Sequence, residues 1–362
     1  MSAESTPART THPDAPNRLR RLLRPGSLLR PALISVGSVV LLGLLSPSWP
    51  VATLILIYAL AALAANLLLG YTGLLSLAQS VYFGVGGYIA GILATRFDFQ
   101  LSTTLIVSAL LCGLIAAFIA GFAIRRMGIY FVMITFAFAE TAHFLAYVFK
   151  DWTGGENGLT GLPLASFGGF GQSFFIARPG PTFYYMMAVL FVILFVLLHR
   201  FVDSPVGSVL VAIRENEGRA EALGYPVKAY KTVVFMVSGA VTGIAGTLYA
   251  FFVGSSSISA ISSEMAITII IITVLGGIRS LYGSLLGAIV YVALNTYLSD
   301  LWPYWELLLG AALIAIVLFF KGGLQGGLAS LAGLVRRRDE SAREPRPDAE
   351  TDAKERGADV RR

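Results

Sequence analysis

Residues 50–70 read PVATLILIYALAALAANLLLG, an unbroken apolar stretch with no charged side chain. A helix of that length rises about 30 Å, the thickness of the hydrocarbon core of a bilayer. A helix on the surface of a soluble domain needs a polar face, and this one has none. The stretch therefore reads as a membrane crossing, and it sets the scale for the rest of the chain. Of the 362 residues, 56% are apolar and only 13% charged, and the mean hydropathy is +0.74. Soluble domains carry about 25% charged residues, so too little polar surface is available here to cover a water-facing globule.

Similar runs recur at 31–46, 82–96, 102–124, 129–149, 183–202, 230–256, 265–280, 281–299 and 304–320. The expected fold is an all-α integral membrane protein of about ten transmembrane helices, some of them broken, with both termini cytoplasmic. Residues 31–322 form the membrane domain. A basic arm at 1–30 and a charged tail at 323–362 have little to bury and read as disordered. No small-x-small cleavage site follows residues 32–45, so they read as an uncleaved first span. Ser46-Pro47-Ser48-Trp49-Pro50 then reads as an interfacial turn. The lone cysteine, Cys112, permits no internal disulfide.

The net charge of +6 is segregated, with Arg9, Arg18, Arg20, Arg21, Arg24 and Arg30 in the arm and Arg336, Arg337 and Arg338 in the tail. Beside long apolar spans, such clusters mark the cytoplasmic face rather than nucleic-acid binding. Ten alternating spans put 71–81, 125–128, 203–229 and the turn at Arg279 on that same face. These connections hold Arg125, Arg126, Arg214, Arg219, Lys228 and Arg279. The opposite connections, 47–50, 97–101, 150–182, 257–264 and 300–303, hold only Lys150 and Arg178, with Arg96 at a boundary. Charge bias and alternation agree.

Catalytic chemistry is hard to place in this sequence. No Walker A pattern occurs, and His12, His143 and His199 lack metal-motif spacing. No cofactor is expected on this chain, and any energised work must draw on an ion gradient or on another subunit. Two stretches look interrupted: Gly70 to Ser80, and Gly276 to Gly287. Each is open to two readings, a Gly-rich turn between hairpins or unwound backbone along a translocation path. On the second reading Gly73, Ser76, Gln79, Gly276 and Gly277 line the path. Asn66 and Asn295, near the breaks, line it or bond between helices.

Glu140 is an ionisable group at membrane depth, where exposure to lipid costs roughly 2.5–3.5 kcal/mol, so it must face protein or water. His143 shares its helical face. The two either line a path, meeting a substrate ammonium, or make a structural pair. Gly87 with Gly91, Gly239 with Gly243 and Gly283 with Gly287 give small-residue spacings that let helices approach closely within the chain. In the loop 150–182, Gly154, Gly155, Gly158 and Gly161 rule out a long helix, and Trp152 is placed to anchor at the interface.

The segment 203–229 carries the functional signal. Pro205 and Gly207 set a turn, residues 208–223 favour helix, and Gly224 with Pro226 stops it. From pattern alone it is either a solvated connection or a short charged helix that a soluble partner grips. Ala212-Ile213-Arg214-Glu215-Asn216-Glu217 and Ala220-Glu221-Ala222-Leu223-Gly224 resemble the coupling loop of the branched-chain amino-acid (LivM-like) ABC importer permeases. The likeness runs in order over about 30–320. It includes Gly70-Tyr71-Thr72-Gly73-Leu74-Leu75-Ser76-Leu77, Thr153 to Pro163, and Gly283-Ser284-Leu285-Leu286-Gly287-Ala288. The chain departs from that family at Ala78-Gln79, where Gly-His is frequent.

The resemblance implies a transport subunit rather than an enzyme, in the cytoplasmic membrane of a prokaryote. It implies a second homologous (LivH-like) permease, two ATPase subunits that use ATP, and an extracytoplasmic solute-binding protein. Arg214, Glu215, Asn216, Glu217, Arg219, Ala220, Glu221, Ala222, Leu223 and Gly224 would then seat in the ATPase. Gly154, Gly155, Glu156, Asn157 and Gly158 would help to dock the binding protein. Branched-chain or similar hydrophobic amino acids are the expected solutes. Permeases of the same family for urea or aromatic acids, and an ion-coupled secondary transporter, are the alternatives.

Overall fold

The computed structural model describes residues 26–46, 48–169, 172–177 and 180–298, with short pieces at 304, 307–311, 314 and 323–326. The arm before Gly26, the tail beyond Gly326 and most of the expected span 304–320 lie outside the described residues. Helix α1 covers Gly26–Leu45 and α2 covers Trp49–Asn66. Pro50 sits in the first turn of α2, where its missing N–H costs nothing. The helix passes into a wider π turn at Leu67–Thr72, which Gly73 ends with φ 73°. Next come α3 (Gln79–Arg96), α4 (Leu101–Ala123), α5 (Ile129–Val148) and the short α6 (Lys150–Thr153). Helices α7 (Pro181–Asp203), α8 (Pro205–Glu215), α9 (Glu217–Ala222), α10 (Val227–Val253), α11 (Ser263–Gly276) and α12 (Leu281–Leu298) complete the series.

Among the described residues, five helices are long and apolar enough to cross a membrane: α2 with its π turn, α4, α5, α7 and α10. A sixth span results if the bent pair α11 and α12 counts as one. The expectation of about ten separate crossings is thus met only in part, although among the described residues helices fill nine of the apolar runs. Helix α11 has 14 residues, so it rises about 21 Å and falls short of a bilayer core by itself. It meets α12 at a 116° bend. Among the described residues the fold also carries four short strands that sequence reading did not anticipate. Here β1 (Leu159–Thr160) pairs antiparallel with β4 (Ser255–Ser256), and β2 (Ala165–Gly169) with β3 (Gln172–Ala177).

The core forms around α2 and α10, the most buried of the five long apolar helices. Helix α10 runs against α4, with Gly239 against Ala116 and Gly243 against Cys112 and Ser108. On its other side it runs beside α3, where Gly246 packs on the Phe83 carbonyl and Gly86 on that of Gly243. These contacts put Gly239 and Gly243 inside the chain, as their spacing leads one to expect. Side-chain hydroxyls stitch the same seam: Thr247 Oγ1 donates to the Gly86 carbonyl at 3.0 Å and Ser256 Oγ to that of Gly87 at 2.6 Å. Such bonds hold helices together where apolar burial gives little drive. Leu110, Leu114, Phe118 and Phe122, spaced four apart on α4, point outward as an exposed apolar row.

The connections sort into two ends. Residues 70–73, 203–226 and 277–280 meet at one end. The antiparallel course of α4 against α10 brings 124–128 there too. At the opposite end, β1 pairs with β4, Leu162 N donates to the Gly254 carbonyl, and Arg96 donates to the Asp151 carbonyl. Trp49 lies beside Tyr184 and Tyr185 at the start of α7. The described connections grouped by charge in the sequence are therefore grouped in space, except that 74–81 turns back into the molecule and 300–303 lies outside the described residues.

Candidate functional site

Helices α8 and α9 form a bent amphipathic pair at the end where the basic residues gather. Leu210, Ile213 and Ala220 turn inward, and Val227 at the start of α10 joins Ile213 and Ala220 in a small apolar cluster. The sequence favours one helix over 208–223, but the structure divides it at Asn216. That residue is extended (φ −159°, ψ 101°), and its Oδ1 accepts from Arg219 N at 2.9 Å. A side chain that caps a new helix start competes with continuing the old one. Gly224, at φ 85°, ends α9.

Glu215, Arg219, Glu221, Ala222 and Leu223 face outward, and Leu223 is 72% exposed. Glu217 instead pairs with Lys231 of α10 (Oε1 to Nζ 2.6 Å), and the lysine side chain is only 3% exposed. Arg214 reaches back to donate from Nη1 to the Gly70 carbonyl. Burial, with Arg279 nearby, lowers the pKa of its guanidinium. Of the ten residues expected in this segment to meet a partner, Arg214, Asn216, Glu217 and Ala220 are thus engaged within the chain.

The two interruptions, expected as a pair, touch each other. Asn66 is fully buried, and its Nδ2 donates to the Ser280 carbonyl at 2.8 Å and to Ser284 Oγ at 3.2 Å, with the Gly277 carbonyl at 3.4 Å. Its Oδ1 accepts from Arg279 N at 3.1 Å. Tyr71 OH donates to the Arg279 carbonyl at 3.1 Å. Asn66 therefore supplies partners for backbone groups that the α11–α12 bend leaves without helical ones. Gly276 packs on the Gly283 carbonyl, and Gly277 takes φ 123°.

Gln79 is spent as a brace. Its Nε2 donates to Ser238 Oγ at 2.9 Å, its Oε1 accepts from Thr242 Oγ1 at 2.7 Å, and Ser238 Oγ donates onward to the Ala64 carbonyl at 2.7 Å. The side chain ties α2, α3 and α10 together well inside the molecule. Ser238 and Thr242, four apart in an apolar helix, are the signal that sequence reading passed over. Ser76 is buried and accepts from Ala78 N at 3.3 Å, and Gly73 is exposed beside the Arg214 stem. Asn295 is half-buried, about 21 Å along α12 from the bend, and so stands apart from this knot.

Glu140 sits near the middle of α5, the span with least cover, at 22% buried. Phe131, Thr135, Ala139 and Ala146 form its buried face. The exposed face is a stripe of Ile129, Met133, Phe136, Glu140, Phe144 and Tyr147, with the carboxylate at its centre and His143 half-buried beside it. Among the described residues of the long helices, no other Asp, Glu, Lys or Arg lies so far from a helix end.

At the opposite end of the molecule, α6 closes at Gly154 (φ 76°) and a 3-10 turn covers Gly155–Asn157. Gly158, at φ 64°, then leads into β1. Gly155 is buried, Glu156 and Asn157 are exposed, and Trp152 lies under the Arg96 guanidinium, 4.6 Å from the ring centroid.

Apolar spans with touching breaks, and a charged helix pair bound to those breaks, give the chain the architecture of a multi-pass membrane protein. The sequence model of the family described as "Branched-chain amino acid transport system / permease component" matches residues 50–318. The chain belongs to that family, whose members are transport permeases of the ABC type rather than catalytic subunits. It is 29% identical to the high-affinity branched-chain amino acid transport system permease protein LivM of Escherichia coli (strain K12), over 83% of this chain and 76% of that one. It is 24% identical to the probable branched-chain amino acid transport permease protein LivM of Methanocaldococcus jannaschii, over 68% of this chain and 73% of the relative. A shorter match, 27% identical over 41% of this chain and 47% of the relative, is to the ribose import permease protein RbsC of Haemophilus influenzae. No solved structure matches the chain.

Proposed function

We propose that this chain is the permease subunit of an ATP-driven importer that carries branched-chain or similar hydrophobic amino acids across the cytoplasmic membrane of a prokaryote. It works with a second, LivH-like permease, two ABC ATPase subunits and an extracytoplasmic solute-binding protein. The observation that carries this reading is the outward ridge of α8 and α9. Glu215, Arg219 and Glu221 stand in solvent with Leu223 at the tip, while Ile213 and Ala220 fix the other side to the spans. A charged rim around one exposed apolar side chain suits a specific protein contact.

The same end holds Arg125, Arg126, Arg200, Lys228 and Arg279, a charge bias that supports its being cytoplasmic. The opposite end, with Glu156 and Asn157 exposed around a glycine-shaped loop, is then the face offered to the binding protein. The solute class rests on the printed names of the LivM relatives, and the partial likeness to a ribose permease shows that related cores serve other solutes. The exposed stripe around Glu140 is the part of this chain best suited to a wet path, because a carboxylate at its centre cannot economically face lipid.

The test is co-purification from membranes that also contain the cognate ATPases. A Glu215→Ala, Glu221→Ala, Leu223→Ala triple variant is expected to insert and melt normally while losing ATPase capture and ATP-dependent uptake. Undiminished capture would remove the basis of the assignment. Uptake by this chain alone in vesicles without ATP would favour an ion-coupled transporter instead.

A further inference from the structure

We infer that Arg214 is the positioning residue through which displacement of α8 reaches both backbone interruptions together. The inference rests on the proposal that an ATPase grips α8 and α9, and it assigns the route that force then takes into the spans. Arg214 lies in the last turn of α8, yet its side chain turns away from the outward ridge to the Gly70 carbonyl. That carbonyl lies in the π turn that closes the second span. A guanidinium keeps its charge at any physiological pH, so one partly withdrawn from water holds a carbonyl acceptor firmly.

From Gly70 the contact continues without a gap. A Cβ on Gly70 would lie 2.8 Å from Arg279 N, which itself donates to Asn66 Oδ1 at 3.1 Å. Tyr71, the next residue, donates to the Arg279 carbonyl at 3.1 Å. Arg279 is held at φ 76°, a conformation costly for a residue with a side chain, and it sits within the 116° bend of α11 and α12. One side chain of α8 is therefore in series with the end of α2 and with the joint of α11 and α12.

The other tether, Lys231 to Glu217, runs to a different place. It ties α9 to α10, which is helical from Val227 to Val253 without a break. Displacement of the helix pair thus meets a stiff rod through Lys231 and two compliant joints through Arg214. The joints are where the backbone lacks a continuous helical ladder, so they yield first.

The experiment uses the complete transporter, reconstituted with its cognate ATPases, and reads ATP hydrolysed per solute molecule taken up. Arg214→Gln is expected to retain ATPase capture and hydrolysis while uptake falls about tenfold, the worth of one hydrogen bond from a charged donor. The ratio then rises about tenfold as well. Arg214→Lys, which keeps a charged donor, should recover part of the uptake. Tyr71→Phe, at the far side of the knot, should move the ratio in the same direction by less, and it gives the same readout should Arg214→Gln fail to accumulate. A ratio unchanged in both variants overturns the inference. So does a loss of ATPase capture in step with uptake, which would put Arg214 in the docking surface. If the unaltered chain captures no ATPase at all, the proposed function fails and this inference with it.

Discussion

Lys231 Nζ lies 2.6 Å from Glu217 Oε1, and with its side chain 3% exposed the lysine has little water to turn to if the glutamate is removed. Breaking such a pair from one side leaves an uncompensated charge, which costs about 3–5 kcal/mol in buried settings. Glu217→Ala should therefore lower the melting temperature of the detergent-solubilised protein. Lys231→Met combined with Glu217→Leu should restore most of it. A Glu217→Ala variant that melts like the wild type would show that the lysine reaches water in the folded protein.

Asn66 serves several backbone groups from a fully buried position. Asn66→Leu keeps similar bulk but strands the Arg279 N–H and the Ser280 carbonyl. The expected loss is about 2–3 kcal/mol, from the unmet groups rather than from packing. Protease accessibility at 276–281 should rise in the same variant, and unchanged protection there would count against Asn66 as the clasp.

Gly246 packs on the Phe83 backbone carbonyl, whereas Gly121 of α4 has nothing within 4 Å of where a Cβ would sit. Both are helical glycines, so propensity favours alanine at each by about 1 kcal/mol. The two variants should nevertheless diverge. Gly121→Ala is expected to be neutral or stabilising, and Gly246→Ala to reduce the yield of folded protein, because two helix backbones have to separate. Thermal melts of the pair measure the difference directly.

Glu140→Gln should leave insertion and melting unchanged, because the side chain is exposed and pairs with nothing else among the described residues. If the stripe on α5 lines the solute path, uptake of amine-bearing solutes should fall relative to that of analogues lacking the amine. Identical kinetics for both solute types would remove Glu140 from the path.

Much of the architecture was legible because apolar length is a strong signal: among the described residues, helices fill nine of the expected runs, and most of the basic connections meet at one end. The less legible parts share a physical cause. A 14-residue apolar helix and a full crossing look alike in composition, and that the break after Gly276 ends α11 short appears only in the fold. The division at Asn216 depends on one side chain capping its own backbone, which competes closely with helix continuation. Gln79 reads as a path candidate in the sequence because it lies in the first interrupted stretch. Its partners, Ser238 and Thr242, lie about 160 residues further along and are joined to it only by folding. The inward turn of Glu217 was hidden for the same reason, since Lys231 lies across a helix boundary.

The unbroken course of α10 sets it apart from its neighbours. Its 27 residues measure about 40 Å, enough to reach from one aqueous boundary to the other. Its first turns hold the buried lysine, and its last residue hands the chain to the strand that zips onto Leu159 and Thr160. The glycine-shaped loop at one end is thus joined to the helix pair at the other by one unbroken rod.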